Sequence, residues 1–114
     1  MSDSERGRPN LIATGEFDAR VVKVTAAGVD ADYGRLHNEI RLYDNGVLRE
    51  GGEYAHTYHS YSVEWDAGSI DGATIGIITD GRQSKRVVDV DGVFDIPREI
   101  RKFLEHEGFD LSEV

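Results

Sequence analysis

Residues Glu39–Glu50 read EIRLYDNGVLRE. Ile40 and Leu42 alternate with charged neighbours, Asp44-Asn45-Gly46 punctuates the run, and Val47 and Leu48 follow it. Asn-Gly between alternating apolar residues supplies the positive φ angles of a tight turn, so the stretch predicts a β-hairpin centred on Asn45-Gly46. A hairpin here makes the protein an antiparallel sheet protein, and the flanking sequence extends that reading in both directions.

Upstream, GEFDARVVKVT (Gly15–Thr25) sets Phe17, Ala19 and Val21 on one parity and Val22 and Val24 on the other. The change predicts a bulge or bend in a long first strand. Ala26–Leu36 carries two Gly and two Asp and reads as a loop. Met1–Asn10 is polar and aperiodic and reads as a flexible tail, leaving residues 11–114 as one domain.

Downstream of Gly51-Gly52, the run YAHTYHSYSVEW (Tyr54–Trp65) places six ring side chains in twelve residues. His59, Tyr61, Val63 and Trp65 share one strand face, with Tyr58, Ser60, Ser62 and Glu64 on the other. Tyr61 and Trp65 are the expected core residues. Ala73–Thr79 and Arg86–Val90 read as two further strands, separated by Asp-Gly turns.

The period then changes. Ile96, Ile100, Phe103, Leu104 and Glu107 recur at three- and four-residue spacing, predicting an amphipathic helix of about three turns. Asp95 is its expected N-cap, Pro97 belongs in its first turn and Gly108 at its end. Phe109 and Leu111 are expected to fold back onto its apolar stripe. The fold class is therefore α+β: a mostly antiparallel, strongly bent sheet of five to seven strands closed by one C-terminal helix. In order of elements this resembles the pleckstrin-homology-like barrel. A plain antiparallel sheet with one helix on its face is the alternative.

The chain has 114 residues, 22 acidic and 13 basic, for a net charge of −9. Ten of the basic residues are Arg, against three Lys. A GC-rich genome yields such a ratio. A salt-adapted cytoplasm of the haloarchaeal type, which adds surface carboxylates and removes Lys, accounts for it better. Without a basic patch the chain is ill suited to double-stranded nucleic acid or an anionic membrane. It contains no cysteine and no apolar run of bilayer-spanning length, and cytoplasmic localisation is the simplest expectation.

Two constellations stand out chemically. His37, His56 and His59 could ligate zinc if they converge, since imidazole is its commonest ligand; residues three apart on a strand point to opposite faces, however. Tyr54 and Tyr58, opposite in parity to the expected core, are candidates for a protein-contact surface, because tyrosine offers large contact area with a polar tip. The alternating acids of Asp89–Asp95 are interrupted by apolar residues and suit a strand and turn better than a calcium loop. Neither a nucleophile elbow nor a glycine-rich phosphate loop is present. The expected function is a non-catalytic protein-interaction domain. A His-based metal enzyme or sensor, or a small-ligand domain with a pocket between sheet and helix, is the alternative.

Overall fold

The computed structural model describes residues 10–49, 57–68, 70–81, 85–91 and 96–114. Five strands, β1 (Asn10–Thr25), β2 (Gly28–Arg49), β3 (Thr57–Ala67), β4 (Ile70–Thr79) and β5 (Val87–Asp91), precede one helix, α1 (Arg98–His106). The strands form one antiparallel sheet in the order β1-β2-β3-β4-β5. The sheet is open, with β1 and β5 at its two edges rather than joined, so no pleckstrin-homology-like barrel is formed. The plain sheet with one helix is what is observed.

The core lies on one face. Ile40 and Leu42 of β2, Tyr61 and Val63 of β3, Ile75 and Ile77 of β4 and Val87 of β5 are buried together with Ile100, Leu104, Phe109 and Leu111. Burial thus follows the alternating parity of the strands and the i, i+4 stripe of the helix. Tyr61 is buried and Trp65 packs half-buried against the cluster, as the aromatic run predicted. Gly15 sits where α1 crosses β1, and a Cβ there would come within 2.7 Å of the Phe103 ring.

The end of α1 agrees in detail with its sequence. Gly108, at φ +96°, follows the C-cap Glu107. Its N–H donates to the carbonyl of Glu105 at 3.1 Å, and that of Phe109 to Leu104 at 3.0 Å. These two bonds define a Schellman motif, and they swing Phe109 and Leu111 onto the sheet. Lys85 Nζ donates to the Glu107 carbonyl at 2.9 Å, setting a cation at the negative end of the helix. The start of α1 differs from expectation. Pro97 occupies the N-cap with no side-chain cap bond, while Asp95 lies outside the described residues.

Two turn assignments are corrected. Asp44-Asn45-Gly46 is not a hairpin turn, because β2 runs through it without reversing. Asp44 pairs with Tyr61 and Gly46 with Ser60, so Asn45 is an extra residue, a bulge in a continuous strand. Gly46 has φ +96°, and its N–H donates to Asp44 Oδ1 at 2.8 Å. The chemistry that makes Asn-Gly a good turn also makes it a good bulge, and pairing with β3 selects the bulge. The segment Ala26–Leu36, read as a loop, is instead largely strand. The reversal occurs at Ala26-Ala27, where Thr25 pairs with Gly28. Neither alanine has positive φ, while Gly28 has φ +117°, as in a type I turn closed by a glycine bulge.

The first strand's own extra residue is Ile12; at the shift between Arg20 and Val22, where a bulge in that strand was expected, the extra residue is in β2, whose Tyr33 and Gly34 lie opposite Val21 alone. From there to the turn, β1 and β2 pair only with each other and form a two-stranded ribbon. Of the expected tail, residues 1–9 lie outside the described residues, whereas Asn10 already belongs to β1.

Candidate functional site

The face opposite α1 carries the polar and aromatic residues of the strands in two zones. The first is a charged band across β1, β2 and β3. Arg41 Nε donates to Glu64 Oε1 at 2.7 Å, and its Nη2 donates to Asp66 Oδ2 at 2.6 Å. The Tyr43 hydroxyl donates to the same Glu64 oxygen at 2.9 Å. These bonds follow from register, since Arg41 lies opposite Glu64 and Glu39 opposite Asp66. The Arg41 guanidinium, and then the Tyr43 hydroxyl, hold the Glu64 carboxyl below its ordinary range. Glu64 in turn raises Tyr43, and the two carboxylates stabilise the Arg41 cation.

His37 belongs to this band. It lies opposite Asp18, with Nδ1 3.0 Å from Asp18 Oδ1 and Nε2 3.1 Å from Glu16 Oε2. Carboxylates only accept, so both ring nitrogens carry protons when both bonds are made, which is the imidazolium form. Hydrogen bonds donated to Asp18 and then to Glu16 accordingly raise its pKa above the ordinary imidazole value.

The second zone mixes apolar and polar surface and is created by the Asn45 bulge. Up to Leu42, even-numbered β2 residues face the core; past the extra residue the parity reverses. Val47 then pairs with His59 on the core face, and Leu48 pairs with Tyr58 on the opposite one, which is bare of helix among the described residues. On β4, Ile78 points the same way as Tyr58. A further extra residue in β5, Val88, turns outward beside Asp89. Leu48, Tyr58, Ile78, Val88 and Asp89 line a shallow depression of ≈ 540 Å³. Leu48 and Val88 are exposed, while Tyr58 and Ile78 are half-buried. Tyr58 therefore lies among three aliphatic residues and Asp89, and Tyr54 is outside the described residues.

The histidines are divided by the sheet. His37 is on the bare face and His59 on the core face, where its Nε2 lies 2.5 Å from Asp44 Oδ1 and its ring 4.6 Å from that of Tyr61. His56 is outside the described residues. His37 cannot gather its two carboxylates around one ion either, because they occupy opposite nitrogens of the ring. Among the described residues no group of three or more His, Cys, Asp or Glu is placed to hold a metal ion. Nor is any helix there long and apolar enough to cross a membrane.

A separate cleft of ≈ 290 Å³ opens beside the N-terminus of α1, lined by Phe17, Ala19, Val21, Asn38, Trp65 and Ile70 among others. Its walls are mostly apolar, with the half-buried Trp65 ring at one side. That Tyr58 takes the face opposite Tyr61 was legible from parity alone. Leu48, Ile78 and Val88 were not, because the bulges that bring them beside it cannot be read from one strand in isolation. No protein-family model, curated protein or solved structure matches the chain.

Proposed function

We infer that the chain is a non-catalytic protein-interaction domain whose contact surface is the bare-face patch around Tyr58. The observation that carries this reading is the double bulge. Two extra residues, Asn45 in β2 and Val88 in β5, turn apolar side chains away from the core and set them beside an aromatic ring. Leu48 and Val88, which could have strengthened the core, are instead exposed. Aromatic anchors ringed by aliphatic residues are what protein contact surfaces concentrate. The neighbouring charged band would form a polar rim on one side of the patch.

The test is a pull-down from source-organism lysate with wild-type chain and a Leu48→Asp/Tyr58→Ala variant of unchanged circular dichroism. A specific protein retained by the wild type and lost by the variant is expected. Equal retention by both chains overturns the assignment to this patch. No specific protein in either lane overturns the interaction reading itself. Because the composition fits a salt-adapted cytoplasm, the lysate is kept at its native ionic strength.

A further inference from the structure

The two edges of the sheet are not equivalent. β5 is five residues long, carries Asp89 and Asp91, and is covered at its start by the tail after α1. There the Val87 N–H donates to the Asp110 carbonyl and the Asp110 N–H to the Lys85 carbonyl, both at 2.8 Å. Short length, charge and a covering segment are the usual protections of a sheet edge.

β1 is charged too, but it is neither short nor, among the described residues, covered. It is sixteen residues long, contains no proline, and among the described residues pairs on one side only. Leu11, Ile12, Val22 and Val24 are exposed along it. It is also electrically balanced within a chain of net charge −9, since its charges are Glu16, Asp18, Arg20 and Lys23. Screening over about 8 Å at physiological ionic strength makes this local balance, rather than the total charge, what an approaching edge meets.

We propose that β1 is the edge through which a second copy of this chain joins, the two β1 strands pairing antiparallel about a two-fold axis at Ala19. Opposed residues in an antiparallel pair share a face, so the strand can slide past its copy only in steps that keep parity. With the axis at Asp18, that residue opposes itself; with the axis at Arg20, the two arginines oppose each other. With the axis at Ala19, Asp18 opposes Arg20 twice on the bare face, and Phe17 opposes Val21 twice on the core face. Like charges then meet nowhere along the pair. Phe17, Ala19 and Val21 also line the cleft beside α1, so the pairing joins the clefts of the two copies across the seam. An isologous contact of this kind closes at two copies and leaves no free β1 edge for a third.

The test is sedimentation of the full chain at about 100 μM, where a micromolar dimer is largely formed. Four samples are compared: wild type, Asp18→Arg, Arg20→Asp, and an equimolar mixture of the two variants. The wild type is expected to sediment as a dimer. Each variant alone opposes like charges twice and dissociates at least about tenfold more readily. In the mixture both arginines of the first variant face aspartates of the second, and the dimer is regained, which unfolded variants could not do. A monomeric wild type, variants that dimerise as well as wild type, or a mixture that stays monomeric overturns the proposal. Because the chain has no cysteine, Ala19→Cys gives a second readout. It should oxidise to a linked dimer while Val24→Cys does not, and the reverse result overturns the register.

Discussion

On the side of the sheet that carries α1, Leu42, Val63, Ile75 and Ile77 are wholly buried beneath Ile100 and Leu104. On the other side the same strands present Arg41, Tyr43, Glu64 and His37, tied across strands by hydrogen bonds to carboxylates. Removing apolar area from water stabilises the first face at roughly 25 cal/mol per Å² and does not depend on pH. The second face is held by contacts that water and salt weaken, each worth about 1 kcal/mol or less. What this teaches is a division of labour: one face holds the fold, while the other can be altered at small cost. That is the condition under which a surface can be adapted to a partner.

Three changes break or sharpen this contrast. Leu104→Ala empties a fully buried site at the centre of the covered face and is expected to cost about 3 kcal/mol, read as a lowered midpoint in urea unfolding. Gly46→Ala acts where the strand passes residues from one face to the other. Among the described residues, no atom beyond the two chain neighbours lies within 4 Å of the added Cβ, so its effect is that of the +96° φ. A loss of about 1 kcal/mol is expected in the same experiment. A loss as large as that of Leu104→Ala would mean that the bulge also supports the core.

The smallest effect is at His37. Its NMR titration midpoint is expected above 6.5, and Glu16→Gln should lower it. A histidine raised in the folded state adds stability that is fully present below its unfolded pKa. That contribution is lost as pH rises through the folded value. A midpoint at or below 6.5 would show that the two carboxylates do not hold the ring in solution.

Most of the covered face was legible in the sequence because period and burial coincide there. The parity of Tyr61, Val63 and Trp65, the stripe Ile100–Leu104 and the Gly108 terminus all report local geometry. What was not legible depended on the neighbouring strand. Asn45-Gly46 has the same local preference in a turn as in a bulge, and only the pairing of Leu48 with Tyr58 distinguishes them. Ala26-Ala27 carries no strong turn chemistry, and its turn is completed by Gly28, one residue beyond. Arg41 and Glu64 are far apart in sequence, and their meeting follows from register alone. Whether His37 and His59 converge was not legible either, and pairing with the neighbouring strands sets them on opposite faces.

The order of the strands in space is their order in the chain, whereas Phe103 reaches back over Gly15 across nearly the whole sequence. The entropy of closing a loop grows with its length, and hairpins close the shortest ones. Successive strands can therefore join one at a time as the chain collapses, each on a template already formed. The approach of Phe103 to Gly15 is complete only when both ends of the polypeptide have been gathered. The helix thus fastens the first strand to the last, and without it the five strands would leave their apolar face open to water.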